Sequence, residues 1–443
     1  MNDRCVLGWN KILLFFMIIL ISTICLSSPT AANVSISELI IQAEPGEKII
    51  IPEGTYEEVV IVTKPLEIIA EGVSIINHSD ESAIQILSDL VSITGITVQQ
   101  NSHSPAIVID GNDNRLNKLK IINLGIGIKL NQSSRNVIEN SHIERNHQHN
   151  LPEPATSTDN QLGNGIDLYG SHDNILRNNT LINQLDGYYI VSSLRNIIEN
   201  NNVTHSRYGF HLMSADGTEL NNNYASNNIT GTLAMNSANL KIINNTFVKQ
   251  NYHVHSQGLM IYDVNESIFK GNLLAENIIG ISVDRSSNNN ISENKLQANF
   301  VGFQIESSMN NAIIHNDFFT NVIQARTTDS NQNIVRLNYW DTHTGLDFTG
   351  NGVSELAFQA DPIFLNLVDK QPPYQLLAQS PGMLFLQLLF DMDDTKILKD
   401  TAPLMEAYSK PVLVSKSASP YDVLMYVSLA FGSILLIIGG RRI

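Results

Sequence analysis

Only two of the 443 residues are cysteine, Cys5 and Cys25, and both lie in an apolar N-terminal segment. Loss of that segment would leave no thiol, which excludes disulfides and thiolate metal sites. Any soft-metal site would then draw on methionine and histidine. Basic residues are scarce too: 27 Lys and Arg stand against 43 Asp and Glu, a formal charge of −16. That balance argues against nucleic acid as a partner and against adsorption to anionic lipid. Long apolar runs sit near the two ends, so the interior reads as one water-exposed domain.

The two ends carry addresses rather than fold. Arg4 and Lys11 precede the apolar run Ile12 to Ile24, and the small residues Thr30-Ala31-Ala32 follow. This is the pattern of a secretory signal over residues 1–32, cut after Ala32. Cys25 lacks a lipobox, since Ser22 stands where a leucine is expected. Val423 to Gly440 contains no charge and is followed by Arg441-Arg442. A single transmembrane helix over 422–440 with a cytoplasmic tail at 441–443 is expected. The chain would be exported and anchored to the outer face of the cytoplasmic membrane, in the periplasm or at the cell surface.

Between the ends the sequence repeats. Glycines stand at 165, 187, 209, 231, 258, 280 and 302, with steps of 22 residues except for one of 27. Fourteen residues after each stands an asparagine: Asn179, Asn201, Asn223, Asn245, Asn272, Asn294 and Asn316. Three short strands and three corners fit 22 residues, so the spacing predicts an all-β, right-handed parallel β-helix over 33–335. The first and third residues after each glycine are nearly all apolar, which puts them inside and the second and fourth outside. Glycine and asparagine suit corners, through positive φ and side-chain hydrogen bonding, and stacked asparagines can form an amide ladder. A disordered Asn-rich tract would not show such regular apolar columns. Weaker rungs precede these at Ala83-Ile84-Gln85-Ile86, Ala106-Ile107-Val108-Ile109 and Gly127-Ile128-Lys129-Leu130. Residues from Ser35 to Gln42 read as a helical cap with Ser35 as N-cap. An irregular cap or docking segment over 336–395 and a linker over 396–421 complete the chain.

The outward face is unusual. Its positions after Gly187, Gly209, Gly231 and Gly258 are Tyr189 and Val191, His211 and Met213, Leu233 and Met235, Met260 and Tyr262. Flanking rungs return to Asp167 on one side and to Ser282, Asp284, Gln304 and Glu306 on the other. Four rungs at the usual strand spacing make a band about 20 Å tall that is apolar, aromatic and rich in methionine. Met213 and Met235 should stack about 5 Å apart, with His211 about 7 Å from Met213 on the same strand and face. Thioether and imidazole donors suit Cu(I). An adaptable methionine surface for a protein partner explains the same residues, and the two readings are compatible.

Two insertions leave the repeat at one corner, four rungs apart. One holds His147-Gln148-His149; the other holds His253-Val254-His255, with His205 and Arg207 near that corner between them. Loops carry function more often than scaffold does, so His253 and His255 join Met260 as further candidate ligands. Catalysis finds less support. Glycosidases of this shape need two carboxylates facing one groove, and Asp284 with Glu306 is the best pair available. Asp110-Gly111-Asn112-Asp113 and Asp186 read as corner residues. An aromatic platform for sugar is limited to Tyr189 and Tyr262. The chain is therefore read as a non-enzyme, with a polysaccharide-acting or carbohydrate-binding surface protein as the alternative.

Arg207-Tyr208-Gly209-Phe210-His211-Leu212-Met213-Ser214 and Gly231-Thr232-Leu233-Ala234-Met235-Asn236-Ser237 resemble the central repeats of the NosD family. These are the β-helical copper-maturation proteins of nitrous oxide reductase. The resemblance extends to Ile51-Pro52-Glu53-Gly54-Thr55-Tyr56, Asn338-Tyr339-Trp340-Asp341, Asp347-Phe348-Thr349-Gly350-Asn351-Gly352 and the Pro372-Pro373-Tyr374…Ser380-Pro381 tail. It implies a non-enzymatic partner of an ABC transporter permease and ATPase. Such a protein would take copper from a lipoprotein chaperone and pass it to apo-nitrous oxide reductase. The positions that carry over are His211, Met213 and Met235.

Overall fold

Apolar-x-apolar triplets separated by corner residues can bury their alternate side chains only by winding, and the chain winds. The computed structural model describes residues 35–146, 163–360 and 398–411. Among these, three parallel sheets of 13, 13 and 12 strands run the length of a β-solenoid, each strand pairing with the one three elements on. The first sheet runs from Lys48–Ile50 to Ile334–Arg336 and the second from Gly54–Tyr56 to Tyr339–Trp340. The third, which carries the unusual face, runs from Val60–Val62 to Ile323–Thr328.

Register follows the expected columns. Ile166, Tyr188, Phe210, Thr232, Leu259, Ile281 and Phe303 pair in succession and are all fully buried. Tyr188 and Phe210 stack with ring centroids 5.3 Å apart. The asparagine column is an amide ladder. From Asn179 to Asn316, each backbone N–H donates to the Oδ1 of the next asparagine at 2.8–2.9 Å, ending on Asn338. A buried polar column is tolerated because its donors and acceptors are paired turn by turn.

The glycines act differently from the expectation. None of the seven has a positive φ. Their role is close approach: a Cβ at Gly209 would lie 2.5 Å from the Gly231 carbonyl oxygen. The left-handed positions fall instead one residue before the ladder. Asn178, Asn200, Asn222, Asn244, Glu293, His315 and Leu337 have φ of 55–58°, and Gly271 has 67°. Each such residue turns the chain so that the following asparagine points inward.

Both ends are covered. Helix α1, Ile36–Gln42, is capped by Ser35 and buries Ile36 and Ile40 at the open end of the solenoid. At the far end Phe358–Gln359 pairs antiparallel with Lys399–Asp400. Residues 398–408, expected in the linker, contribute to this end of the solenoid. Asp400 Oδ2 accepts from Asn338 N–H, Asn338 Nδ2 and Trp340 Nε1 at 2.9–3.0 Å, terminating the ladder. Phe318, Trp340 and Phe358 stack beneath it at 3.9 and 4.2 Å. Among the described residues no helix is long and apolar enough to cross a membrane. The expected signal over 1–32 and anchor over 422–440 lie outside the described residues, as does His147-Gln148-His149.

Candidate metal centre

The widest part of the third sheet lies where the sequence departs from polar-out alternation. Its strands lengthen from Tyr208–Met213 to nine residues in Thr230–Ala238 and Gln257–Asn265. Two outward columns cross them. In one, Asp167, Tyr189, His211, Leu233 and Met260 pair in turn; in the other, Val191, Met213, Met235 and Tyr262 do. Met213 and Met235 are therefore direct neighbours on adjacent turns, as expected. Their side chains are half-buried, as are those of Val191, Met260 and Tyr262. Leu233 separates His211 from Met260, so Met260 is a neighbour of the Met235 strand but not of the histidine.

His211 is outward by alternation yet only 8% exposed. Tyr189 and Tyr208 enclose its ring at centroid distances of 4.9 and 5.0 Å. Its Nδ1 lies 2.9 Å from Asp186 Oδ2. Asp186 is fully buried and also receives Arg207 in a two-point contact, Nε to Oδ1 at 2.8 Å and Nη2 to Oδ2 at 2.7 Å. The Arg207 guanidinium covers the Tyr208 ring at 4.6 Å. An arginine-bound carboxylate accepts only, so His211 Nδ1 carries a proton, and in the neutral ring Nε2 is the atom that presents a lone pair. That Nε2 is buried and has no hydrogen-bond partner. Asp186, read as a corner residue from sequence, thus belongs to this cluster. The signal that would have found it is position: it pairs with Tyr208, one column ahead of the glycine.

Two turns from His211 along the same column, Asp167 is 9% exposed and its Oδ1 has no partner. Burial pushes its carboxyl up to about 7, and the Asp186 charge adds to the shift. His253 and His255 sit apart in an exposed loop, ring centroids 5.3 Å apart, with His253 Nδ1 accepting from the His255 N–H. Asp284 and Glu306 pair in register, as expected of the best outward acid pair. In the loop from Asp347 to Gly352, the Asp347 carboxylate is engaged by the N–H groups of Gly350, Asn351 and Gly352, which leaves it little capacity for calcium. Among the described residues no three His, Cys, Asp or Glu side chains group to hold a metal.

Residues 150–354, which contain the whole band, match the family model described as periplasmic copper-binding protein (NosD), and residues 31–247 match a right handed beta helix region. The two matches together support a NosD-family parallel β-helix protein. The second match also gives the hand of the solenoid, which is right-handed. No curated protein matches the chain. Solved structures of similar shape include a family 28 exopolygalacturonase of Yersinia enterocolitica, at 10% identity over 68% of this chain and 74% of that one, TM-score 0.47. An alginate lyase in complex with G6 matches at 11% identity over 69% and 83%, TM-score 0.49. A PL6 alginate lyase with a trisaccharide matches at 12% over 67% and 81%, TM-score 0.49. At these values the likenesses carry no argument about activity. The copper of the NosD family can be set against the donors present: one imidazole nitrogen without a partner, and two registered thioethers one column away. Imidazole and thioether donors of this kind suit copper.

Proposed function

We propose that this NosD-family protein carries Cu(I) outside the cytoplasm, holding it on His211 Nε2 and the thioethers of Met213 and Met235. The observation that carries the reading is the registered Met213–Met235 pair beside His211, inside the segment that the NosD model matches. Neutral donors bind a monovalent soft ion without burying an unpaired anion beside it, and thioethers exchange readily. Met260 extends the methionine surface, and the exposed His253–His255 loop offers a second, weaker docking point for the ion. The band is then a relay surface. On this reading a lipoprotein chaperone delivers copper, an ABC transporter permease and ATPase bias the exposed band between partners, and apo-nitrous oxide reductase receives the ion. The chain itself catalyses no bond change, and its expected signal and C-terminal helix would keep it at the outer face of the membrane.

The test is a Cu(I) competition titration of the full chain against a chromophoric chelator. Met213→Ala and Met235→Ala should each weaken binding by at least tenfold, and the double variant should weaken it further. Unchanged affinity in both would remove these residues as ligands. Purification from membranes provides the partner test, with co-elution of a permease and ATPase as the expected result. A second reading, a polysaccharide-acting surface protein, rests on the registered Asp284 and Glu306 beside Tyr262. Release of oligosaccharides from polysaccharide would favour it.

A further inference from the structure

Asp186 and Arg207 do more than fill space beside His211. We infer that Asp186, clamped by Arg207, is the positioning residue that makes His211 a copper ligand through Nε2; this rests on the Cu(I) reading above. Four observations support it. Asp186 is fully buried on the third sheet, in a strand adjacent to that of His211, and its Oδ2 receives the imidazole Nδ1 at 2.9 Å. Arg207 donates to both of its oxygens, and this two-point contact fixes the orientation of the carboxylate. Tyr189 and Tyr208 both pack against the imidazole, one tilted and one edge-on, at centroid distances of 4.9 and 5.0 Å, and a rotated ring would disturb both contacts. Finally, Nε2 is buried and unpartnered. Such an atom costs free energy in the folded protein, and one way to recover it is to bind a ligand that needs no proton.

The charges fit the same role. Asp186 and Arg207 form a compensated pair, and the contact with Asp186 Oδ2 places a ring proton on Nδ1. A histidine that ligates a soft cation through one ring nitrogen usually donates the other to a carboxylate, which sets the tautomer and raises the basicity of the ligating atom. Asp186 needs no contact with copper to decide whether the site forms.

The experiment compares the full chain with His211→Ala, Asp186→Ala and Asp186→Asn, using Cu(I) itself as the probe. Affinity is read by chelator competition. The ring tautomer is read by long-range proton–nitrogen NMR of the copper-free protein, with the His211 signal assigned by its loss in His211→Ala. Asp186→Ala should weaken binding roughly 10- to 100-fold and convert the His211 signal from Nδ1–H toward Nε2–H. Asp186→Asn keeps the shape and a neutral acceptor, so it should fold even if the alanine variant does not, with a smaller loss. A drop in affinity for His211→Ala with affinity and tautomer unchanged in both Asp186 variants would overturn the positioning role and leave the ligand assignment intact. Unchanged affinity in His211→Ala would overturn the ligand assignment itself, and the positioning role with it.

Discussion

His211 and Asp167 occupy the same outward column two turns apart, and burial treats them in opposite ways. His211 is enclosed with its proton accounted for by Asp186. Asp167 is enclosed with an oxygen left bare. Its carboxyl, pushed up by burial to about 7 from an ordinary 3.8, holds a proton in the folded chain that the unfolded chain has already released. Stability therefore falls as pH rises from about 4 to 7, and the full penalty is present above 7. At 1.36 kcal/mol per pKa unit, the three-unit shift is worth roughly 4 kcal/mol. Asp167→Asn removes the charge while keeping the shape. Thermal melts should show it more stable than the wild type at pH 8, with the difference vanishing by pH 4. An equal Tm difference at both pH values would mean that the carboxyl ionises freely in the fold.

At the scale of one turn, two unlike devices keep the strands at a common spacing. Glycines let the backbones of successive third-sheet strands come together, and the buried asparagines fix the distance along the axis by paired amides. Sequence reading grouped both columns as corner chemistry. The left-handed positions are one residue earlier, on Asn200, Asn222 and Asn244 and their counterparts, where residue type varies more and the period is less visible. Gly231→Ala tests the close-approach role. Its Cβ would lie 2.5 Å from the Gly258 carbonyl oxygen and 3.0 Å from the Phe247 ring. Neither neighbour can withdraw without spreading the turns, so urea unfolding should show a loss of about 1–3 kcal/mol, the usual range for overpacking. A neutral result would show that adjacent turns can separate locally at little cost.

Across the whole molecule each turn contacts mainly its neighbours, so stability is local and the ends matter. The N-terminal end is closed by α1 and the C-terminal end by the strand at Lys399–Asp400. Asp400 collects three buried donors on one oxygen; Asp400→Ala would orphan the Asn338 N–H and Trp340 Nε1–H at about 1–3 kcal/mol each, while Asn338 Nδ2 keeps the Ile313 carbonyl. Amide hydrogen exchange should then lose protection first in the last turns, from Ala312 to Trp340, with the turns beside α1 unchanged. Uniform loss along the chain would show that the solenoid unfolds as a single unit rather than from its capped end.

The sequence by itself determined the solenoid, its register and the methionine neighbours, because a 22-residue period with period-two alternation leaves one way to bury the apolar columns. Met213 beside Met235, and His211 on the same face, follow from counting alone. Tertiary structure decided what counting cannot reach. Alternation says that His211 points outward, but its burial depends on the rings of Tyr189 and Tyr208. Nothing in the spacing of Asp186 and Arg207 shows that they close on one imidazole nitrogen and leave the other bare. Likewise, Asp400 lies 62 residues from Asn338 in a stretch without repeat, and only the folded chain brings it over the end of the ladder. Repeats fix neighbours along the axis; contacts between columns, and between the repeat and its caps, depend on side-chain packing that has no period.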